Sequence, residues 1–192
     1  MNEPEFERAF DPAYGRTVAI TDGVSRLTAE NPSPFTFHGT NGYLVGDNTL
    51  TIIDPGPDIE GHFEIWIKAI AGRRVEHIAL THTHLDHTPM ARRLKAATGA
   101  PIVAFAPHTA ARPLHEGEQN PFAESADMSL VPDLEIGDGE QLTVDGFLLR
   151  ALHTPGHTAN HLAFALEGTP FCSQETTSWA GRQPSSRHPT GR

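Results

Sequence analysis

THTHLDH, residues 81–87, follows the apolar run VEHIAL and places three histidines and an aspartate within seven positions. VEHIAL, residues 75–80, reads as a short buried strand. On an extended segment, side chains at i and i+2 share a face, so His82 and His84 point the same way. Asp86 and His87 follow where the strand gives way to a helix, so four side chains can converge at one strand end. Neutral imidazole and carboxylate suit zinc or a similar divalent metal. A second group, HTPGHTANH, occupies residues 153–161. Its Pro155 and Gly156 force a tight turn just before His157 and present that residue at a second strand end. One HxH pair alone reads as a polar loop. HxHxDH after a buried strand, joined later by PGHT, reads as a metal site.

The surrounding chain supports an α/β layered domain. The stretch up to about Pro34 alternates weakly, as strand and loop. FTFHGTNGYLVG (residues 35–46) and NTLTIIDPGP (residues 48–57) read as adjacent strands bounded by Gly, Asn and Asp. GHFEIWIKAIAG (residues 61–72) carries Phe63, Ile67 and Ile70 at helical spacing with Trp66 beside them, and a glycine ends it. TPMARRLKAATG (residues 88–99) is the next helix, and PIVAFA (residues 101–106) a further strand. Residues 107–129, rich in Pro, His, Glu and Asn, read as a surface loop or lid. LEIGDGEQLTVDGFLLRALHT (residues 134–154) reads as strand, turn, strand, and HLAFALEG with TPFCS as a hairpin. The order is β-rich, then βαβαβ, then β-rich again, which predicts sheets with helices outside.

Composition narrows the function classes. The chain has 192 residues, 38% of them hydrophobic, enough for one domain with a sizeable core. No stretch is apolar enough to span a bilayer, so no membrane role is expected. The acidic start MNEPEFERAFDPAYG resembles neither a secretory signal nor a transit peptide. Cys172 stands alone, which excludes an internal disulfide and a zinc ribbon and makes a cytoplasmic location the default. A net charge of −10 argues against a broad nucleic-acid-binding face. No protein partner is predicted.

IDPGP, THTHLDH and TPGHT, in that order, resemble the metallo-β-lactamase superfamily, over residues 28–173 or so. NPSPFTFHGTNGYLVG with IDPGP resembles one branch, which includes mitochondrial single-strand endoribonucleases and glyoxalase-II-like hydrolases. The resemblance implies an αββα sandwich with a metal site at the loop ends between two sheets. It implies His82, His84 and His157 on a first zinc, and Asp86 and His87 on a second. Asp54 would orient the site loop through hydrogen bonds rather than bind metal. Three histidines leave an open position for a water whose pKa drops to about 7. Asp86 would then act catalytically, orienting the nucleophile or taking its proton. The reaction class implied is metal-assisted hydrolysis of a small-molecule ester or thioester, an amide, or a phosphodiester in single-stranded RNA. His38, His62, His77, His108 and His115 read as surface or supporting residues. His153 and His161 flank a ligand. Cys172 reads as a small buried hydrophobe.

Residues 1–173 thus read as the N-terminal portion of such a domain. Residues 174–192, QETTSWAGRQPSSRHPTGR, have no periodicity and almost no aliphatic side chains, and on composition they read as a disordered tail. In the family, the strand after PGHT leads to an aspartate that bridges both metals, in this branch within a motif like GDHVMGW. Glu175 is the nearby carboxylate here, in a different context. Codons for the tail, with free third bases suitably chosen, encode GDHVMGWSTAVVAPPDGS when the frame moves by one base. The expectation is a frameshift close to Ser173, either a mutation or a sequencing error. It carries an alternative to hydrolase function: a catalytically inactive truncated product that binds one metal or none, with exposed sheet edges and marginal stability.

Overall fold

Strands β3 (Asn41–Val45), β4 (Thr49–Ile53) and β5 (Arg74–Ala79) show why the sequence builds layers. Neighbouring residues on a strand face opposite ways. Leu44, Ile52 and Ile78 join one apolar cluster, with the helices. Val45, Ile53 and Ala79 join another, with a second sheet. Both faces of these strands are therefore buried, as their near-continuous apolar runs require.

The computed structural model describes residues 10–108 and 123–173. The first sheet has seven strands in chain order: β1 (Val18–Thr21), β2 (Val24–Thr28), β3, β4, β5, β6 (Ile102–Ala104) and β7 (Leu134–Glu135). Pairing is antiparallel from β1 to β4 and parallel from β4 to β7. The parallel steps β4–β5 and β5–β6 are bridged by α1 (Glu60–Ile70) and α2 (Pro89–Thr98), the crossover connections that parallel strands need. The second sheet is antiparallel, built from β8 (Gln141–Val144), β9 (Phe147–His153), β10 (Leu162–Leu166) and β11 (Cys172–Ser173), in the order β11-β10-β9-β8. Leu149, Ala151, Leu162 and Phe164 fill the space between the sheets. Each fully buried Leu or Phe among them contributes about 1.5–3 kcal/mol. Among the described residues the layers are helices, large sheet, small sheet. This is the expected α/β sandwich with helices on the outer face of the large sheet.

Three local expectations are corrected. Residues 35–40 are not strand. Ser33 Oγ accepts from the amides of Phe35 and Thr36, both at 3.1 Å, and Asn31 Oδ1 accepts from Thr40 N at 2.9 Å. These side-chain bonds satisfy the backbone locally and hold a turn in place of a ladder. In α1 the buried side chains are His62, Trp66 and Ile70, while Ile67 is 40% exposed. The indole sets the helix rotation, because Trp66 Nε1 donates to Pro55 O at 2.8 Å. His62 is thus a buried residue beneath the IDPGP turn rather than a surface one. Residues 134–154 hold three strands instead of two, and the first of them, β7, belongs to the large sheet. Residues 109–122, which include His115, and residues 174–192, which include Glu175, lie outside the described residues.

Candidate metal centre

The centre forms where β4 and β5 end. In a sheet with parallel strands, side chains of the loops after the carboxyl ends converge in this way. Asp54 directly follows β4 in the left-handed region, at φ 46. A non-glycine residue there costs energy and needs support from its surroundings. The support is its hydrogen bonding. Asp54 N donates to Ala79 O at 3.0 Å. The carboxylate accepts from Thr81 N at 2.8 Å and from Thr81 Oγ1 at 2.6 Å. Thr81 Oγ1 also lies 3.0 Å from His82 Nδ1, so Asp54 acts on the His82 ring through Thr81.

The two quoted histidine groups meet in space. Leu162 N donates to Thr81 O at 2.7 Å, which fastens the start of β10 to the loop after β5. One nitrogen from each of His82, His84 and His157 lies within 4.8 Å of the others. His157 Nε2 is 2.8 Å from His84 Nδ1. His82 and His84 are buried and His157 is exposed, so the group is open on one side. Burial lowers the His82 imidazole well below 6.5, with the charge of His87 acting the same way. Burial, then His157, lowers His84 to about 4. Burial also lowers His157. All three rings are therefore neutral at pH 7, and three converging neutral imidazoles fit a divalent metal such as zinc.

Asp86 and His87 adjoin this group. His87 Nε2 is 3.2 Å from Asp86 Oδ2, and His87 Nδ1 is 3.1 Å from Asp54 Oδ2, the latter poorly aligned for a hydrogen bond. Burial pushes the His87 imidazole down, but the Asp54 and Asp86 carboxylates outweigh it and hold it well above 6.5. Burial likewise raises the Asp86 carboxyl, but the hydrogen bond and charge of His87 bring it to about 2. Thr40 Oγ1 donates to Asp86 Oδ2 at 3.2 Å. A cavity of about 30 Å³ beside them is lined by Phe35, Thr40, Tyr43, Asp86 and His87, with room for about one water. A larger cavity of about 570 Å³ lies by β1, β2 and α1 and touches none of these histidines.

Sequence reasoning passed over several residues that brace the centre. Thr81 and Thr40 lie inside the motifs, and no spacing marks their roles. Asn160 Nδ2 donates to Thr83 Oγ1 at 3.2 Å and Ala106 O at 3.0 Å, joining both histidine loops to the end of the β6 segment. Thr83 Oγ1 also lies 2.8 Å from His108 Nδ1. His161 is buried, with Nδ1 2.7 Å from Thr154 Oγ1, and its ring is 5.3 Å from that of His82. His153 stacks on Phe105 at 4.1 Å and holds Ala159 O at 2.8 Å, a structural post under the His157 loop.

Residues 35–172 match the family described as the metallo-beta-lactamase superfamily. The chain belongs to that superfamily. It is 31% identical over 168 residues to an atrochrysone carboxyl ACP thioesterase of Pseudocercospora fijiensis, a match covering 84% of this chain and 44% of that protein. It is 32% identical over 164 residues to the lactamase-like protein nscB of Aspergillus fumigatus, covering 81% and 42%. The chain thus spans less than half the length of these curated relatives. Among solved structures, a metallo-beta-lactamase from Cronobacter sakazakii is 29% identical with a TM-score of 0.59, covering 79% of this chain and 59% of that one. A beta-lactamase domain protein from Burkholderia ambifaria, 22% identical, shares the fold with a TM-score of 0.63 over 83% of this chain and 54% of that one.

Proposed function

We propose that this chain carries the metal-binding half of a metal-dependent hydrolase acting on a thioester or related ester. The observation that carries the reading is the convergence of His82, His84 and His157 nitrogens within 4.8 Å. These three imidazoles would hold a zinc ion, and for Asp86 and His87 to hold a second, the His87 ring would first have to release the proton that the Asp54 and Asp86 carboxylates keep on it. When bound, zinc supplies Lewis acidity and a nucleophile at neutral pH. Asp86 is ionised beside the group and held by Thr40 and His87, so it can orient a nucleophile or accept its proton. Asp54 keeps the loop in register through its two bonds from Thr81. A thioester is favoured over RNA because similar proteins bear a thioesterase name and the chain has a net charge of −10.

The test is metal titration of the full chain, followed by turnover of an acyl thioester, an aryl ester and a single-stranded RNA. Zinc binding that is lost in His82→Ala and His157→Ala, with thioester cleavage, supports the reading. A chain that binds no zinc overturns it, and cleavage of RNA alone overturns the substrate class.

A second reading is an inactive, frame-shifted product, favoured by the shifted-frame match of residues 174–192 to GDHVMGW. Resequencing the gene across the codons for Cys172 to Trp179 decides it. A base missing from or added to the recorded sequence puts GDHVMGW back in frame and overturns the inactive product, and an unchanged sequence supports it.

A further inference from the structure

An ion pair outside the histidine group, between buried Asp127 and the half-exposed Arg92, holds the backbone on either side of His84. Asp127 is 4% exposed and its carboxylate is fully engaged. Arg92 of α2 grips it with Nη1 at 2.6 Å and Nη2 at 2.9 Å. Thr88 Oγ1, in the turn that opens α2, donates at 3.0 Å, and Ser129 Oγ at 2.9 Å. The backbone of the same segment pairs with the metal loop. Asp127 N donates to Thr83 O at 2.7 Å, Leu85 N donates to Ser125 O at 2.8 Å, and His84 and Ala126 form an antiparallel bridge between them.

These contacts make one chain of force. The carboxylate of Asp127 is fixed to α2 from one side, and its peptide is fixed to residues 83–85 from the other. A bidentate guanidinium–carboxylate pair fixes direction as well as distance. His84 is the one proposed ligand whose flanking peptides both lean on this segment.

We propose that Arg92 and Asp127 are positioning residues for the metal centre, a clamp that sets where His84 stands and so how tightly the three histidines hold a metal. This rests on the metal-site reading above. Groups that orient metal ligands from outside typically change affinity by about 10–100-fold when removed, and an effect passed through backbone sits at the lower end. Neither residue touches the reacting atoms. The exposed pair between Lys95, on the same helix, and Asp133 is the control, because none of its bonds reaches residues 83–85.

The experiment is cobalt binding to the full chain, read by chelator competition and by the visible d–d spectrum, in Arg92→Met, Arg92→Lys, Asp127→Asn and Lys95→Met. Ile102→Val serves as a control for lost stability alone. Amide exchange at Leu85 and Asp127 is followed in the metal-free proteins. The clamp predicts that Arg92→Met and Asp127→Asn weaken cobalt about ten-fold and alter its spectrum. Arg92→Lys should recover part of the loss, and both controls should keep the spectrum of the parent. Unchanged affinity and spectrum in folded Arg92→Met overturns the clamp, as does an equal change in Ile102→Val. If Asp127→Asn does not fold, Arg92→Met alone decides. If the parent chain binds no cobalt, the metal-site reading fails by itself. The clamp is then judged by exchange: faster exchange at Leu85 and Asp127 in Arg92→Met supports it, and unchanged exchange overturns it.

Discussion

Asp54 accepts two hydrogen bonds from a single residue, Thr81, through the Thr81 amide at 2.8 Å and the Thr81 hydroxyl at 2.6 Å. The end of β4 is thereby locked to the residue just before His82. The lock spans two neighbouring parallel strands, so it fixes the loop on which His82, His84, Asp86 and His87 all lie.

Replacing Asp54 by Ala therefore has two expected effects. It leaves the Thr81 donors unpaired and removes a carboxylate 3.1 Å from the buried His87 ring. The cost to stability is about 1–3 kcal/mol, the desolvation penalty of buried groups left without partners. Metal affinity falls as well, because His82 loses its bracing through Thr81. Urea unfolding and metal competition measure the two separately. Asp54→Ala with wild-type values in both would sink the account.

Gly42 tests how the two sides of the large sheet meet. A Cβ there would lie 2.5 Å from Asp54 O and 2.7 Å from Trp66 Cζ2. One contact is backbone and the other a fully buried indole, so neither yields easily. Gly42→Ala should cost about 1–3 kcal/mol by overpacking and shift the strained Asp54 turn. The check is the urea midpoint together with Trp66 fluorescence. An unperturbed midpoint would show that the indole moves freely.

Acid should weaken the metal-free fold in two stages. The folded His84 is lowered from 6.5 to about 4, so from pH 6.5 down to about 4 the unfolded chain takes up a proton that the fold refuses. The contribution of His84 therefore declines across that window and levels off below it. Asp127 is held at about 2 against an ordinary 3.8, first by the Arg92 hydrogen bond, so its contribution is complete above 3.8 and disappears towards pH 2. Urea midpoints measured from pH 7 to pH 2 should show both declines. His84→Asn should reduce the upper one, to which the lowered His82 and His157 also contribute, and leave the lower one in place. A curve without the upper decline in the parent would contradict a buried neutral His84.

The sequence by itself determined the parts that depend on neighbours along the chain. Short apolar runs marked β4, β5 and β9, helical spacing marked α1, and HxHxDH put its side chains at one strand end because geometry at i and i+2 is local. Pro155 and Gly156 likewise marked the turn that presents His157. The tertiary structure decided what depends on contacts between distant segments. Trp66 turned α1 so that His62 was buried and Ile67 was not, because its indole N–H needed the Pro55 carbonyl. Residues 35–40 became a turn because Asn31 and Ser33 satisfied that backbone before a strand could. Asp127 met Arg92, and Asn160 met Thr83, across separations that no periodicity encodes, since an ion pair or amide bond between loops is set by the packing of the layers that carry them. The histidines could be read from the order of residues, but what holds them in place could only be read from the fold.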